Sequence, residues 1–329
     1  MKRNAKLAIT VLAENQYDIS EDMRLVTDLG IECKCIPLEH SQDAKLITEA
    51  LNGYEYVIAG SERYDDETLS LLPDLKLIVR NGVGYDSVDL EAAARHGVAV
   101  CNLPGSNAYS VAEHVLGMMI CVVRHIPQHT QSIKNGVYAA RMTLSMSDIR
   151  IGLMGLGAIA KELAKLLRVF DVEVVGYDPY MTTQQMAEYS VKKVELDELI
   201  STSDIISLHM PVTKETKGMV NAEFISRMKD GAYFINAARG ALVDENALAD
   251  GLRSGKLGGA GLDVFDPEPI IPGNPLLEIE NILLSPHGAT ANIRCFHTVL
   301  GCAAKAVSDF HKGEEPYHLL NPNYTKNAK

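Results

Sequence analysis

Short apolar runs alternate with helical patterns along most of this chain, and that alternation restricts the fold more than any other feature of the sequence. Strands separated by helices form βαβ units, and such units build a parallel sheet. The first series of apolar runs lies at 7–12, 31–38, 56–59, 75–79 and 98–101. The second series lies at 149–154, 172–177, 204–209, 232–236, 260–264 and 282–285. The sequence therefore predicts an α/β protein with two doubly wound parallel-sheet domains.

The segment between the two series follows a different pattern. Residues 107–126 are almost all apolar, which predicts a long helix that Pro127 ends and that is buried in the core or in a subunit interface. Residues 128–147 are polar and weakly periodic, and we expect them to form a protruding arm. After the second series, a further helix is predicted over 293–312.

The charge of the chain excludes two classes of partner. Lys and Arg number 31 against 43 Asp and Glu, for a net charge of −12, whereas nucleic acids and anionic membrane surfaces require a basic face. The longest apolar stretch, 115–123, has 9 residues, and a membrane-spanning helix needs about 20. None of the six cysteines forms a C-x-x-C pair, so we expect no metal site and a reducing, cytoplasmic compartment.

A glycine-rich turn follows the first strand of the second series. Gly155, Gly157 and Ala160 form a G-x-G-x-x-A pattern between a strand and a helix, which is typical of dinucleotide binding, because the helix N-terminus offers N–H groups to a pyrophosphate. Asp178 ends the next strand, 23 residues after Gly155. A carboxylate there binds the ribose hydroxyls of NAD and repels the 2′-phosphate of NADP. The alternative is a tight turn in a plain α/β domain.

Three later strands are each followed by a charged or titratable residue, namely Arg239, Glu268 and His287. The carboxyl ends of parallel strands share one edge of the sheet, where ligands of open α/β sheets bind. A cation, a carboxylate and an imidazole beside a nicotinamide suggest hydride transfer to a keto acid. The cation would hold the substrate carboxylate, and the imidazole would protonate the ketone oxygen. Singly, each residue has a plainer alternative: a structural ion pair, a solvated loop acid and a core histidine.

Three longer stretches, 203–211, 236–244 and 263–269, resemble the D-2-hydroxyacid dehydrogenase family, and within it the phosphoglycerate dehydrogenase-like branch. The resemblance implies an NAD-dependent oxidoreductase that interconverts a D-2-hydroxy acid and a 2-keto acid. Arg239, Glu268 and His287 are then the catalytic residues. The branch implies 3-phosphoglycerate and 3-phosphohydroxypyruvate as substrates, and glyoxylate, hydroxypyruvate or another 2-keto acid is the alternative.

The resemblance also implies which residues hold the two ligands. Asp263 matches an acid that contacts the nicotinamide carboxamide, although an acid at a strand end is also an ordinary cap. The expected cofactor-binding set is Gly155, Gly157, Ala158, Ile159, Tyr177, Asp178, His209, Pro211, Ala237, Asp263 and His287. The expected substrate-binding set is Arg80, Asn81, Gly82, Val83, Gly84 and Arg239.

The substrate loop carries its own hypothesis. Its two glycines, Gly82 and Gly84, let the backbone turn its amides inward as an anion nest, and a simple strand-to-helix turn is the alternative. Arg80 matches an arginine that binds phosphate in some phosphoglycerate dehydrogenases, and Arg63 or Arg141 could supply further cations. His114 is interpreted as a structural histidine, because His287 better fills the role of the imidazole.

Family members return to their first domain at the end of the chain, which sets the expected domain organisation. Residues 1–102 and 290–329 would form a flavodoxin-like substrate-binding domain, and 103–289 a Rossmann-type NAD domain, with a cleft between them. The helix and arm at 103–148 would form the interface of a homodimer.

Two rival functions belong to related proteins. A non-catalytic NAD sensor, similar to the C-terminal binding protein corepressors, would keep the same three catalytic-type residues, but the acidic chain has no partner motif that favours it. A formate dehydrogenase would carry Gln at the position of Glu268, so Glu268 argues against that enzyme.

Overall fold

The structure is a computed structural model that describes residues 4–11, 17–38 and 41–324. It divides into two compact units, which are described separately. The first unit comprises Met1–Asn107 and Asn292–Lys329, and the second comprises Ala108–Ala291. These boundaries lie a few residues after those expected from the sequence. The chain leaves the first unit once and returns to it for the final helix.

Most strands are short and buried, as expected for parallel sheets covered on both faces. The strands of the first unit are β1 (Lys6–Ile9), β2 (Glu32–Cys35), β3 (Tyr56–Ala59), β4 (Leu77–Arg80) and β5 (Ala99–Cys101). Those of the second unit are β6 (Arg150–Met154), β7 (Glu173–Tyr177), β8 (Lys192–Lys193), β9 (Ile205–Leu208), β10 (Ala232–Asn236), β11 (Leu257–Leu262) and β12 (Ile282–Leu284).

The helices begin and end at signals that the sequence carries. Asp89, for example, caps its helix by accepting the backbone N–H of Ala92, and Gly97 follows that helix with φ of 73°. The helices are α1 (Arg24–Thr27), α2 (Ala44–Leu51), α3 (Asp66–Ser70), α4 (Leu90–Arg95), α5 (Ala108–Val123), α6 (Ile126–Lys134), α7 (Ala158–Leu167), α8 (Thr183–Ala187), α9 (Leu196–Thr202), α10 (Ala222–Arg227), α11 (Glu245–Arg253) and α12 (Ile293–His311).

The sheet of the first unit is parallel, with the strand order β2-β1-β3-β4-β5. This is the flavodoxin-like order, in which the chain reverses direction across the sheet between β1 and β3. Leu7 and Ile9 pack on the face that α1 and α12 cover. Ala8 packs on the opposite face with residues of α2, α3 and α4. Helices therefore cover both faces, which confirms the doubly wound prediction for this unit.

The sheet of the second unit is also parallel, with the order β12-β11-β10-β9-β6-β7-β8. Counted from β6, this is the Rossmann order with one further strand at the β12 edge. Ile151 and Leu153 pack on the face covered by α5 and α7. Ile206 and Leu208 pack on the other face, against α9, α10 and α11. The topological switch lies between β6 and β9, directly below the glycine-rich turn.

Two expectations for the second unit need correction. The expected count of six strands missed β8, a two-residue pair of lysines at the sheet edge, because it is too short and too polar to give an apolar run. The expected helix over 107–126 ends at Val123, and Pro127 lies in the first turn of α6 instead of ending a helix. Proline is tolerated there because that turn has no intrahelical use for its N–H. Part of the expected arm is therefore helical.

Helix α5 is buried within its own unit. Val111, Val115, Met118, Met119 and Val122 belong to the core cluster between the sheet and α7. Packing in the core of the second unit thus accounts for the burial of these apolar residues. No helix in the described parts of the chain is long and apolar enough to cross a membrane.

Candidate active site

The glycine-rich turn has the geometry that a pyrophosphate requires. Gly155 adopts φ of 87°, and a Cβ atom there would lie 2.7 Å from the carbonyl oxygen of His209, so that position requires glycine. Gly157 is the N-cap of α7 and offers no side chain to the first-turn amides. A Cβ atom at Gly157 would meet nothing within 4 Å. The start of α7, with Ala158 and Ile159, therefore presents open N–H groups that fit the diphosphate of a dinucleotide.

Asp178 lies directly beside this turn. Its Oδ2 accepts the backbone N–H of Leu156 at 2.9 Å, and its Oδ1 accepts that of Tyr180 at 2.8 Å. A carboxylate has about four acceptor positions, so Asp178 can hold the turn and still accept a ribose hydroxyl. The neighbouring residue, Tyr177, is half-buried. The structure thus places these two expected cofactor residues at the end of β7.

The remaining cofactor candidates on this edge follow β9 and β10. His209 is half-buried, and the loss of hydration of its ring lowers its pKa to about 4. Its Nε2 pairs with the Ser207 hydroxyl at 3.0 Å. The imidazole is therefore neutral at physiological pH and adds no charge beside the glycine-rich turn. Pro211 is exposed and Ala237 is half-buried. All three follow strands that end at the same edge as β6.

The structure brings together the imidazole expected to donate a proton and the carboxylate expected to orient it. His287 Nδ1 lies 2.8 Å from Glu268 Oε2, and Glu268 Oε1 accepts the backbone N–H of Phe265 at 3.0 Å. The hydrogen bond to Glu268 raises the pKa of His287, against a smaller opposing effect of burial. The carboxylate therefore orients the ring through Nδ1, which leaves Nε2 for a reacting group.

Arg239 lies near this pair. Its positive charge acts to lower the pKa of His287, which requires the two side chains to be neighbours. Asn236 holds the loop that carries it, because the amide of Asn236 donates to Arg239 O at 2.9 Å and accepts from Ala238 N–H at 2.9 Å. A Cβ atom at Gly240 would lie 2.0 Å from the Phe265 carbonyl carbon. The arginine loop and the glutamate loop therefore pack backbone against backbone.

Asp263 is almost completely buried, at 1% exposure, and anchors the loop that carries His287. Its Oδ1 accepts the Gly288 N–H at 2.8 Å, its Oδ2 accepts the Ala289 N–H at 3.0 Å, and its backbone carbonyl accepts the His287 N–H at 2.8 Å. His287 itself has φ of 51°, a left-handed conformation that a non-glycine residue adopts only when its surroundings impose it. Asp263 supplies that constraint.

Two further polar residues support Asp263, and reasoning from the sequence did not assign them to the site. The Ser285 hydroxyl donates to Asp263 Oδ1 at 2.6 Å, and His114 Nε2 lies 3.1 Å from the same hydroxyl and 3.5 Å from Asp263 Oδ1. The hydrogen-bonding partners of His114 are consistent with its interpretation as a structural residue. Through His114, helix α5 contacts the residues that hold the His287 loop. In the sequence, Ser285 could have been recognised as a site residue because it follows a strand and lies two residues before His287.

The expected substrate loop lies in the first unit, where part of its hydrogen-bonding capacity is used internally. Asn81 N–H donates to Ala59 O at 2.9 Å, and Gly82 N–H donates to Arg80 O at 2.8 Å. Gly82 has φ of 143°, a backbone conformation that favours glycine. Within the described chain, no carbonyl accepts from the amides of Val83 and Gly84. These two amides are the donors through which the loop could bind a carboxylate.

No cluster of three or more His, Cys, Asp or Glu that could hold a metal ion occurs in the described residues. The titratable and charged side chains at this edge of the second unit include Arg239, Glu268 and His287. This edge has an open helix N-terminus that fits a dinucleotide. It also carries the cation Arg239 and the imidazole of His287, whose pKa Glu268 raises.

Comparison with known proteins agrees with this geometry. Residues 116–289 match the family model described as "D-isomer specific 2-hydroxyacid dehydrogenase, NAD binding domain". Over 271 residues, the chain is 38% identical to D-3-phosphoglycerate dehydrogenase of Archaeoglobus fulgidus, which covers 82% of this chain and 51% of the relative. The chain spans about half the length of the phosphoglycerate dehydrogenases that it matches.

Other relatives match over more of their own length. Glyoxylate reductase of Thermofilum pendens is 36% identical over 275 residues, which are 81% of this chain and 80% of that protein. Among solved structures, D-lactate dehydrogenase of Aquifex aeolicus, in complex with NAD and lactic acid, is 29% identical with a TM-score of 0.79. That match covers 94% of this chain and 96% of the other.

Proposed function

The chain belongs to the D-isomer specific 2-hydroxyacid dehydrogenase family, and we propose that it interconverts a D-2-hydroxy acid and a 2-keto acid with NAD. The family match includes an NAD binding domain, and the open N-terminus of α7 fits that cofactor. When bound, NAD accepts or supplies the hydride at the substrate carbon. The residues of the chain provide binding, orientation and the proton.

His287 is the general acid in the direction of reduction. The protonated ring donates to the ketone oxygen through Nε2, and the same nitrogen takes the proton back when the hydroxy acid is oxidised. Glu268 holds the ring at Nδ1 and favours its charged form, because a nearby carboxylate stabilises the imidazolium. Arg239 binds the substrate carboxylate through charge-assisted hydrogen bonds. In the first unit, taken by itself, the amides of Val83 and Gly84 are proposed as donors to a carboxylate.

One observation carries this proposal: the 2.8 Å pair of Glu268 and His287, with Arg239 as a neighbour, stands on the same strand edge as the glycine-rich turn. A structural histidine has no need of a partner that raises its pKa or of a loop held in a left-handed conformation. The combination is what a proton donor beside a dinucleotide requires.

A direct test measures the oxidation of NADH by the purified chain with glyoxylate, hydroxypyruvate, pyruvate and 3-phosphohydroxypyruvate. We expect turnover with at least one of them, and the loss of NADH absorbance is the readout. Tight NADH binding without turnover on any keto acid would contradict the proposal and favour a non-catalytic NAD sensor. Similarity does not choose the substrate, because a phosphoglycerate dehydrogenase and a glyoxylate reductase match the chain almost equally well.

We further propose that the chain acts as a cytoplasmic homodimer. The support is an apolar surface on α6 and the segment after it, where Ile126 is 44%, Ile133 55% and Val137 51% exposed. Tyr138 and Met142 are each 97% exposed in the same segment. Exposed apolar groups in one patch mark an association surface. Light scattering of the purified chain measures its mass, and a monomer would contradict this part of the proposal.

A further inference from the structure

Two carbonyl groups of the substrate loop in the first unit are held by the segment that follows β5. The carbonyl of Gly82 accepts the backbone N–H of Leu103 at 2.8 Å. The carbonyl of Val83 accepts the side-chain amide of Asn102 at 2.6 Å. A trans peptide group is planar, and its N–H points away from its carbonyl. Holding these two carbonyls therefore also sets the direction of the amides that follow them, those of Val83 and Gly84.

The two contacts differ in what supports the donor. The N–H of Leu103 belongs to the backbone, so the fold sets its direction. The donor of Asn102 is a side-chain amide, and Asn102 is almost completely buried, at 3% exposure. Its Oδ1 lies 2.6 Å from Nδ1 of His318. Since Nδ2 of Asn102 faces a carbonyl, Oδ1 is the acceptor, and Nδ1 of His318 is the nitrogen that donates. The histidine therefore fixes which way the amide of Asn102 points.

His318 belongs to the segment that follows α12, and this segment is fastened to β5, an edge strand of the first sheet. The backbone N–H of Leu320 donates to Val100 O at 2.8 Å. The side chain of Asn321 accepts the N–H of Val100 at 2.8 Å and donates to Val98 O at 2.9 Å. The segment thus pairs with backbone groups of β5 and the residue before it, which holds His318 in place beside the end of that strand.

The backbone of His318 is turned in an unusual direction. It adopts φ of 53°, a left-handed conformation that non-glycine residues seldom adopt. The residue is exposed, so packing in a hydrophobic core does not account for this conformation. The contact that the conformation allows is the hydrogen bond from the ring to buried Asn102. Such outliers occur where the surrounding structure holds a residue for a specific role.

Arg80 anchors the other end of the substrate loop. It donates from Nη1 to Ala59 O at 2.8 Å and from Nε to Gly84 O at 3.0 Å, so it ties the end of β3 to the loop. The carbonyl of Gly84 is thus fixed by a backbone-bound arginine. The peptide group before Gly84 depends instead on Asn102, whose own orientation depends on a side chain from the end of the chain.

We propose that Asn102 and His318 are positioning residues that aim the Gly84 amide at a carboxylate bound to the first unit. The ligand class is a small carboxylic acid, and this inference rests on the proposed function, which names that amide as a carboxylate donor. His318 holds the amide of Asn102, and Asn102 holds the carbonyl that sets the direction of the Gly84 N–H. The segment after α12 thus helps to build a ligand site although 216 residues separate the two positioning residues.

The test follows the backbone amide resonances of Val83 and Gly84 by ¹⁵N NMR while the full chain, with NADH present, is titrated with oxamate. In the unmodified chain we expect both resonances to shift until the site is saturated. Asn102→Ala should weaken oxamate binding by about five- to tenfold, the effect of one lost hydrogen bond. It should also reduce the shift of Gly84 more than that of Val83, because Leu103 still holds the preceding carbonyl.

Two variants of His318 separate positioning from a general loss of structure. His318→Ala removes the ring donor and should reduce the Gly84 shift in the same direction as Asn102→Ala. His318→Asn keeps a donor near the position of Nδ1 and tolerates a positive φ, so it should restore the shift. His96→Ala is the matched control, because His96 pairs with Asp66 on the surface of the same unit, and it should match the unmodified chain.

This measurement requires no turnover, so it separates failure of the inference from failure of the proposed function. A chain that oxidises no NADH with any keto acid, but shows the expected Gly84 shifts, contradicts the proposed activity and supports the positioning role. An unmoved Gly84 resonance in the unmodified chain overturns the inference, as do equal Gly84 shifts in His318→Ala and the unmodified chain. If Asn102→Ala does not fold, as judged by circular dichroism, the variants of the exposed His318 decide.

Discussion

The carboxyl edges of the two sheets use acidic side chains in opposite ways. In the second unit, Glu268 shares its hydrogen bond with a histidine whose side chain is 49% exposed. In the first unit, Glu62 is wholly buried, and its Oε1 accepts hydrogen bonds from a threonine, a tyrosine and a backbone amide. Both acids follow a parallel strand, and both accept hydrogen bonds from their own chain.

The difference lies in what each acid has as its partner. A histidine partner titrates near neutral pH, so the Glu268 edge can take up and release a proton. The hydroxyl and amide partners of Glu62 do not exchange protons in that range, so its edge keeps a fixed arrangement. One topology therefore supports a titrating pair in one unit and a fixed, enclosed cluster in the other. The four predictions below test this contrast.

Removal of the imidazole should have the largest effect. His287→Ala deletes the proton donor and should lower kcat for keto acid reduction by about 10² to 10⁴. NADH should bind as before, because the glycine-rich turn and Asp178 do not contact the ring. Steady-state kinetics and fluorescence titration of NADH measure the two quantities. Unchanged turnover would show that His287 is not the proton donor, and the proposed difference between the Glu268 and Glu62 edges would then be wrong.

Loss of the Glu268 charge should move the pH profile. Reduction needs protonated His287, so kcat/KM is high below the pKa of His287 and falls as pH rises through it. Glu268 raises this pKa from its ordinary value near 6.5, so Glu268→Gln should move the fall to lower pH. At pH 8 we expect a loss of roughly 10 to 100-fold.

Glu245→Gln is the control for that profile, because Glu245 accepts hydrogen bonds from Asp266 N–H and from Asn274 and does not contact His287. Its profile should match that of the unmodified chain. A Glu268→Gln profile that falls at the same pH as the unmodified chain would show that the pair does not set the titration of the imidazole.

A smaller effect on kcat is expected when the hydrogen bonds that hold the His287 loop are weakened. Ser285→Ala removes the 2.6 Å hydrogen bond to Asp263 and should lower kcat by about tenfold, since a hydrogen bond to a charged group contributes about 1.5–3 kcal/mol. The pH at which the rate falls should not move, because Glu268 is untouched. Ser285→Thr should restore kcat, whereas Ser226→Ala, an exposed serine on α10, should behave as the unmodified chain. A shifted pH profile would contradict a positioning role.

On the other edge, Thr10→Val should affect stability rather than catalysis. It removes the hydroxyl that donates to buried Glu62 and accepts from Gly60, which should reduce the free energy of unfolding by about 1–3 kcal/mol. Urea denaturation measures the change. Thr298→Val, at an exposed position on α12, should change it by less than about 0.5 kcal/mol. Equal stability of the two variants would mean that the Glu62 cluster is not a fixed arrangement.

Much of the fold could be predicted from the sequence because the signals are local. The strands β3 and β10 match their apolar runs residue for residue, since a short run between helical patterns has few other solutions. The misses have equally local causes. β8 is two lysines, and Pro127 can either end a helix or begin one, so the surrounding packing has to choose between them.

The candidate site divides in the same way. Arg239, Glu268 and His287 are visible in the sequence because each follows an apolar strand, and parallel strands align their ends. Glu62 follows β3 and satisfies the same rule, so the signal was present there as well. What that rule does not contain is burial, which distinguishes the enclosed Glu62 from Glu268 beside the exposed His287.

The order of residues along the chain was thus sufficient for the α/β class, the dinucleotide turn and the three residues expected to carry the chemistry, because periodicity and turn chemistry act over a few residues. The partners of each side chain required the folded structure. Ser285, Asp263 and His114 form one hydrogen-bonded set although 171 residues separate His114 from Ser285, and Thr10 reaches Glu62 across 52. Hydrogen bonds act over about 3 Å, so the packing of the strands and helices determines which of these groups meet.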